Sequence, residues 1–307
     1  MSDKIKKVVN KVVLVGKVAE FEKTVGKTKE DKIPYISVKG AVQFGDSKVQ
    51  TKKFEKYVQE FTKEGKESKM YPKIVEFANK VKSIASSNYE EATEVNIQGS
   101  FATNDYIDDQ EELNEYIKID ASFFNDIDAG EEYKATADIE GYIQSIKPEV
   151  KGEEKEETGR LRVTIITTDF FGNIVPIKNI IVPKELKEAF EEGYEIGQTA
   201  KLYVDFVSNK TETKPKKTGG IGAQRTTDGK SFVEMVLTGA DPAIDEDEEG
   251  AISKEAIKIG LAERKAMLEE LKEKGYQGSK GKSISNANSN NTTKNKPTPV
   301  NDDDIPF

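Results

Sequence analysis

Apolar and polar residues alternate along much of the first 245 residues, in short runs broken by Gly, Asn and Asp. In residues 34–44 one parity is apolar and consists of Ile36, Val38, Val42 and Phe44. The other parity is polar and consists of Tyr35, Ser37, Lys39 and Gln43. A second run places Leu161, Val163 and Ile165 on one side and Arg160, Arg162 and Thr164 on the other. Such alternation is typical of strands with one buried face, so it predicts a mainly β protein with cationic wet faces.

The same succession of landmarks occurs twice, which indicates an internal repeat. A turn in the first strand occurs at Gly16-Lys17-Val18 and again at Gly141-Tyr142-Ile143. A hairpin tip occurs at Phe44-Gly45-Asp46 and again at Phe171-Gly172-Asn173. A helix starts at Pro72-Lys73 and again at Pro183-Lys184. Proline suits the first helical position because its fixed φ fits there. Each copy then has a strand and a closing strand, at residues 95–101 and 115–123 and again at 200–206 and 231–239. The first copy has a longer insertion between its hairpin and its helix.

The sequence is compatible with two secondary structures for that insertion. A helix is indicated by Phe54, Tyr57, Val58 and Phe61 at spacings of three and four. A basic strand face is indicated by the alternation of Lys48, Gln50, Lys52, Phe54 and Lys56. The next helix, over residues 71–85, is clearer because its apolar stripe consists of Ile74, Ala78, Val81 and Ala85.

Three strands, a helix and two strands is the order of the five-stranded OB barrel, although other small antiparallel β domains have similar strand counts. We therefore expect two tandem OB-fold barrels with short helices, at residues 1–130 and 131–245. Residues 246–277 are expected to form an acidic linker and an amphipathic helix, with a stripe of Ile257, Leu261, Leu268 and Leu271. This stripe either docks on a barrel or forms a dimer contact. Residues 278–299 are predicted to be a disordered polar linker and residues 300–307 an acidic tip.

The amino-acid composition excludes several kinds of catalytic and metal-binding chemistry. The chain has no Cys, His or Trp, which excludes thiol and imidazole mechanisms and thiolate or imidazole metal sites, and we expect no cofactor and no metal. The net charge is −9, from 47 basic and 56 acidic residues, but the charge is sorted along the chain. Residues 1–82 hold 20 Lys and 11 acidic residues, whereas residues 83–130 hold one Lys and 12 acidic residues. Residues 208–230 form a second basic stretch, so the overall negative charge does not exclude a nucleic-acid partner.

No signal peptide or membrane span is indicated, since no run approaches the roughly 20 apolar residues that a span needs. We expect a soluble cytoplasmic protein. An enzyme is disfavoured: the segment GGIGAQ, residues 219–224, lacks the Lys and Ser/Thr of a phosphate-binding P-loop, and no pair of carboxylates is spaced as an acid and base.

The last seven residues, 301–307, read NDDDIPF. Three carboxylates precede two apolar side chains held by a Pro, so this segment has the chemistry of a portable ligand for an apolar pocket with a basic rim. The hexapeptide DDDIPF resembles the acidic tip of bacterial single-stranded DNA-binding proteins, and barrel, polar linker and tip follow in the same order as in that family. The usual member has one barrel per chain and forms a tetramer, so two barrels are a departure that suggests a phage or mobile-element version and leaves the oligomeric state open.

The resemblance implies binding of single-stranded DNA without sequence preference. It also implies recruitment of replication, recombination and repair enzymes through Asp302, Asp303, Asp304, Ile305, Pro306 and Phe307. The alternative is an adaptor or decoy that uses the tip to capture such host enzymes without binding DNA. A homo-oligomer is compatible with either function, and a bacterial or phage-infected cytoplasm is the implied location.

Single-strand binding needs cations for phosphates and rings for bases. In the first barrel the candidates are Lys23, Lys27, Lys29, Tyr35, Lys39, Lys48, Lys52, Phe54 and Lys56. In the second barrel they are Arg160, Arg162, Phe170, Phe171 and Lys178. The basic segment between the fourth and fifth strands of this barrel, here called the arm, adds Lys210, Lys214, Lys216, Lys217, Arg225 and Lys230. The corresponding loop of the first barrel, residues 103–115, is acidic and is expected to repel DNA, so the two barrels are not interchangeable.

Overall fold

The structure is a computed structural model that describes residues 7–62, 64–108, 110, 112–152, 155–210 and 231–277. The alternating runs of the first repeat form its strands and one helix, which are β1 (Asn10–Lys27), β2 (Pro34–Gln43), β3 (Thr51–Gln59), α1 (Met70–Lys80), β4 (Glu94–Thr103), β5 (Tyr106–Ile107), β6 (Leu113–Asn114) and β7 (Ile117–Asn125). The second repeat forms β8 (Lys134–Lys151), β9 (Glu156–Thr168), β10 (Ile174–Val182), α2 (Lys184–Gly193), β11 (Thr199–Lys210) and β12 (Ser231–Ala240). A final helix, α3, spans Lys254–Gln277. None of the described helices has the length and apolarity that a bilayer span requires.

Each repeat closes into a five-stranded barrel. In the first, β1, β2 and β3 are antiparallel neighbours, β3 meets β7 in parallel, and β7 and β1 both pair with β4. In the second, β8, β9, β10, β12 and β11 are connected in the same order, with β10 and β12 parallel and β11 returning to β8. This is the connectivity of the OB barrel. The prediction of two tandem OB-fold barrels is therefore confirmed.

The barrels are joined along a strand pair rather than by a tether. β1 pairs with β8 in antiparallel fashion over residues 10–15 and 134–139, so ten strands belong to one continuous sheet. The rings of Phe101 and Phe206, from different barrels, lie 6.4 Å apart between centroids. Asn10 Nδ2 donates hydrogen bonds of 2.9 Å to the carbonyl oxygens of Phe101 and Thr168. Apolar and polar contacts thus hold the two barrels together.

The structure decides the insertion in favour of a strand, because residues 51–59 form β3 and pair with β2. The helix expected over residues 71–85 is shorter. After Lys80 the backbone becomes extended at Val81, and the amides of Ile84 and Ala85 donate to carbonyl oxygens of β1. The expected wet position of Gln43 is also wrong, since this side chain is buried and its Nε2 donates to the carbonyl of Gly45 at 2.8 Å.

Helix α3 docks on the barrels, which was one of the two alternatives for its apolar stripe. Ile257 packs in a cluster with Ile166 and Ile174 of the second barrel. Further along the helix, Arg264 donates to Asp105 in the loop between β4 and β5 of the first barrel, at 2.7 and 3.1 Å. The helix therefore contacts both barrels.

Candidate nucleic-acid interface

A pair of tyrosines lies on the outward face of β2 and β3 in the first barrel. The ring centroids of Tyr35 and Tyr57 are 5.2 Å apart, and Tyr57 is 38% exposed. Tyr35 lies opposite Gly26 of β1, and a Cβ on Gly26 would approach the Tyr35 ring to 2.8 Å. The glycine therefore leaves room for the ring to lie across β1. Adjacent rings on a strand surface form a platform on which unstacked bases can lie.

Several of the expected lysines of the first barrel are exposed, with Lys27 on the strand next to that of Tyr35, Lys39 on the same strand as Tyr35 and Lys48 at the far end of the β2–β3 hairpin. Lys39 is 62% exposed at its side chain, with its Nζ 3.9 Å from Glu55, and Lys27, Lys29 and Lys48 are also exposed. Lys23, in contrast, is engaged in hydrogen bonds. Its Nζ donates to the carbonyl of Ala78 and to Asn79 Oδ1, at 3.4 and 2.8 Å, so it points towards helix α1.

Strand β3 has the opposite phase to the one expected, so three expected contact residues on it do not lie on the outward face. Phe54 is 1% exposed and lies in the core, where its ring crosses Gly40 on the neighbouring strand, so it cannot stack on a base. Lys56 shares the parity of Phe54, and its Nζ is 2.6 Å from Asp120. Lys52 points between the barrels, with its Nζ 4.5 Å from the centroid of Phe206.

Tyr57 is the ring that the sequence analysis missed. Lysine occurs on both parities of β3, since Lys53 lies next to Lys52, so charge alone could not fix the phase of the strand. The signal that was present is the outward parity shared by Lys53, Glu55 and Tyr57, with Tyr57 next to Tyr35 across the strands.

A cationic hollow occupies the corresponding surface of the second barrel. It has a volume of about 350 Å³ and is lined by Lys147, Arg162 and Lys178 together with both polar and apolar neighbours. Lys178 and Asn179 lie in a bulge where the pairing of β9 and β10 shifts between Ile177 and Ile180, and Asn179 adopts a φ of 62°. The bulge exposes Lys178 beside Arg162. The structure thus brings two expected cations together and adds Lys147.

Arg160 is committed to carboxylates and is not available for phosphates, contrary to expectation. Its guanidinium donates to Glu149 at 2.6 and 2.7 Å and to Glu234 at 3.1 and 3.2 Å. Burial alone raises the pKa of Glu149, but hydrogen bonds from Arg160 and Thr158 outweigh burial and hold that pKa at about 2. Arg162 shares Glu149 at 2.8 Å but still lines the hollow. This network holds β8, β9 and β12 together beneath the cationic surface.

The hairpin tip between β9 and β10 exposes two more rings. Phe170 and Phe171 are 72% and 58% exposed, and their centroids are 5.5 Å apart in an edge-on arrangement. Asp169 Oδ1 accepts hydrogen bonds from the backbone amides of Phe171 and Asn173, which fixes the turn. Lys7 Nζ lies 4.3 Å from the Phe170 centroid. By contrast Phe44, at the equivalent tip of the first barrel, is buried as its parity predicts.

The remaining expected residues belong to the arm and the tip. Lys210 is the last residue of β11. The other arm residues, Lys214, Lys216, Lys217, Arg225 and Lys230, lie outside the described residues, as do residues 302–307. In the first barrel the equivalent loop contains the short hairpin of β5 and β6, and its acidic residues Asp105 and Glu115 accept hydrogen bonds from Arg264.

The fold and this surface define a class, namely tandem OB-fold proteins whose outward strands carry rings and cations. The chain belongs to the YorF family, whose model matches residues 8–274.

Two solved structures are matched by this chain. A single-stranded DNA binding protein from Thermus aquaticus is 9% identical, with a TM-score of 0.47 over 80% of this chain and 98% of that chain. The mitochondrial single-stranded DNA binding protein Rim1 from S. cerevisiae is 15% identical, with a TM-score of 0.24 over 40% of this chain and 99% of that chain. No curated protein matches the sequence.

Proposed function

We propose that this protein binds single-stranded DNA without sequence preference and has a binding rather than a catalytic role. The observation that carries the proposal is that a ring platform, Tyr35 and Tyr57, and a cationic hollow, Lys147, Arg162 and Lys178, occupy outward strand faces of the two barrels. Rings can stack on unpaired bases of any sequence, and cations neutralise phosphates. The bases of a duplex are already stacked on one another, so they cannot use the platform.

The strand-binding surface in this proposal runs over both barrels but uses them differently. The first barrel contributes mainly rings and exposed lysines, and the second contributes the hollow, the hairpin-tip phenylalanines and the basic arm of residues 210–230. The acidic loop of the first barrel lies against α3 through Arg264. This asymmetry supports one extended site per chain instead of two equivalent sites.

The proposal has a second part, recruitment of replication, recombination and repair enzymes by residues 302–307. The sequence supports it, because three aspartates precede Ile305, Pro306 and Phe307 after a linker without acidic residues. An apolar pocket with a basic rim on the partner would accept the two apolar side chains and attract the carboxylates. DNA as the partner is supported by the resemblance of this segment to the tips of single-stranded DNA-binding proteins.

Strand binding can be tested by fluorescence anisotropy with labelled oligo-dT, duplex DNA and RNA at several salt concentrations. We expect tight binding to oligo-dT at low salt, with log K falling by about 0.7 per phosphate contact for each unit of log salt. A chain ending at residue 277 keeps α3 on the barrels and should bind at least as well. If neither form binds oligo-dT at low salt, the adaptor alternative is left and the proposal fails.

Paired variants localise the site. Replacing both Lys147 and Lys178 with Ala should weaken binding and reduce the salt slope by up to about 1.4, which corresponds to two phosphate contacts. The matched control replaces Lys66 and Lys73, which are exposed elsewhere on the first barrel, and makes the same change in net charge. Equal losses in the two double variants would point to long-range charge and argue against a local site.

The role of the tip can be tested by calorimetric titration of a purified tip-binding enzyme with the full chain and with a chain lacking Phe307. We expect the deletion to abolish enzyme binding, because the phenyl ring is the main apolar anchor, and to leave oligo-dT affinity unchanged or stronger. Retained enzyme binding would rule out the tip as the recruiting segment.

A further inference from the structure

A second, smaller cavity lies between the two barrels. Its volume is about 190 Å³, and its apolar lining includes Phe101 of β4, Ile177 of β10 and Met235 of β12. Charged groups also line it, with Lys52 of β3 and Glu115 contributed by the first barrel and Arg264 by α3. The volume is below the roughly 300–1,000 Å³ of pockets for drug-sized ligands, so it suits a single small ring system.

Lys52 is the unusual group in this cavity. Burial lowers the pKa of its ammonium group. The ammonium nitrogen lies 4.5 Å from the centroid of the Phe206 ring, and no described residue forms an ion pair or hydrogen bond with this ammonium group. A desolvated cation without a hydrogen-bond acceptor is costly, so a ligand that offers an acceptor would be stabilised here. Arg264, in contrast, is already engaged by Asp105 and Glu115.

The cavity adjoins the cationic hollow of the proposed strand-binding surface. Lys178 lines both this cavity and the cationic hollow of the second barrel. A strand that passes from the hollow towards the first barrel therefore crosses the mouth of the cavity. The lining combines two cations, Lys52 and Lys178, with apolar walls. A phosphate group that entered the cavity would be desolvated against these walls and has no apolar surface to pack on them. A nucleobase has the opposite properties, with apolar faces and polar edges.

We propose that the inter-barrel cavity takes one unstacked base of the bound strand, which lies against Phe101 and Met235 while Lys52 donates a hydrogen bond to an acceptor on the base edge. This site rests on the proposed function, since the base is delivered by a strand bound outside. It gives the contact between the barrels a role in binding, because both barrels supply walls of the cavity.

The test compares two strands and two variants. The strands are labelled oligo-dT and an oligonucleotide of the same length in which all sites are abasic, so that phosphates are kept and bases removed. Lys52→Met keeps most of the side-chain length but removes the charge, and Met235→Trp fills the cavity. The controls are Lys73→Met on α1 and Phe123→Trp on the outward face of β7, both at exposed positions. Circular dichroism and thermal unfolding check the folding of every variant.

We expect Lys52→Met and Met235→Trp each to weaken oligo-dT binding by about 5- to 100-fold, the value of one base contact, and to leave binding of the abasic strand close to wild type. The two controls should bind both strands as the wild type does. Equal weakening on both strands would assign Lys52 to a phosphate and overturn the base site. Wild-type affinity of both variants for oligo-dT would also overturn it. If the wild type itself binds neither strand, the proposed function is wrong. That result can be told apart from the two outcomes that overturn only the base site, because in those the wild type still binds oligo-dT.

Discussion

At the scale of single residues, two glycines decide where two rings of the first barrel lie. A Cβ on Gly40 would approach Phe54 to 2.6 Å, and a Cβ on Gly26 would approach Tyr35 to 2.8 Å. A ring across a strand glycine covers backbone that would otherwise be exposed or loosely packed. In one case the covered face is the core, and in the other it is the outer surface. The same local device therefore stabilises the barrel at Phe54 and prepares a binding platform at Tyr35.

The platform predicts a measurable loss on truncation. Tyr57→Ala should weaken oligo-dT binding by about 1–3 kcal/mol, because one stacked base loses its partner. Phe123→Ala is the matched control, since this ring on β7 is 60% exposed and forms no ring contact with Tyr35 or Tyr57. Anisotropy titrations at one salt concentration measure both variants. A loss in Phe123→Ala as large as that in Tyr57→Ala would argue against a platform at Tyr57.

The lowered pKa of Glu149 predicts how the free energy of unfolding depends on pH. Its pKa is about 2 in the folded protein, below its ordinary value of 4.5, so its contribution is complete above pH 4.5 and disappears as the pH falls towards 2. The contribution is about 3 kcal/mol at neutral pH. Urea unfolding from pH 7 to pH 2 should show a smaller acid-dependent loss in Glu149→Gln than in wild type. Glu156→Gln, at an exposed position on the same hairpin, should keep the wild-type slope; identical slopes in all three proteins would contradict the assignment.

At the scale of elements, α3 is a brace across the two barrels rather than an appended helix. Ile257 packs on the second barrel, and Arg264 binds Asp105 of the first. Asp105 and the Arg264 side chain are 4% and 8% exposed, so this ion pair is largely removed from water. The stripe of apolar residues predicts that the helix docks on another surface. Its contact with the first barrel, however, is set by Asp105, which lies 159 residues before Arg264 in the chain.

Replacing Arg264 should therefore lower the free energy of unfolding. Arg264→Met leaves Asp105 buried without its cation, and breaking a buried pair in this way costs about 3–5 kcal/mol. The adjacent and exposed Lys265→Met provides a control with the same change in charge and should lose little. Urea unfolding at neutral pH measures both free energies. Equal stabilities would mean that α3 does not brace the first barrel through this residue.

At the scale of the whole molecule, the two barrels share contacts that separate domains lack. The β1–β8 pairing continues the sheet from one barrel to the other, and Phe101 and Phe206 belong to one cluster of buried residues. A strand pair and a common core couple the unfolding of the parts that they join. The arrangement also positions the inter-barrel cavity, which neither barrel could form alone.

Cooperative unfolding is the corresponding prediction. Scanning calorimetry of the full chain should give one transition, with a calorimetric enthalpy about equal to the van't Hoff enthalpy. Replacing Val13 with Pro would remove a backbone donor from the β1 segment that pairs with β8, and it should lower the midpoint without splitting the transition. Two resolved transitions in the unaltered chain would show that the barrels unfold independently.

The sequence by itself determined the β character, the repeat, the order of strands and the docking requirement of α3, because periodicity and turn residues are local properties of a chain. It also placed Lys39, Lys178, Phe170 and Phe171 at exposed positions, as the structure has them, whereas Arg162 is half-buried. Only the tertiary structure decided the phase of β3, the exposure of Tyr57 and the capture of Arg160 by Glu149 and Glu234. The physical reason is that lysines on both parities make either phase compatible with the local pattern. Cross-strand register and the positions of distant carboxylates, in contrast, are fixed only when the barrel closes.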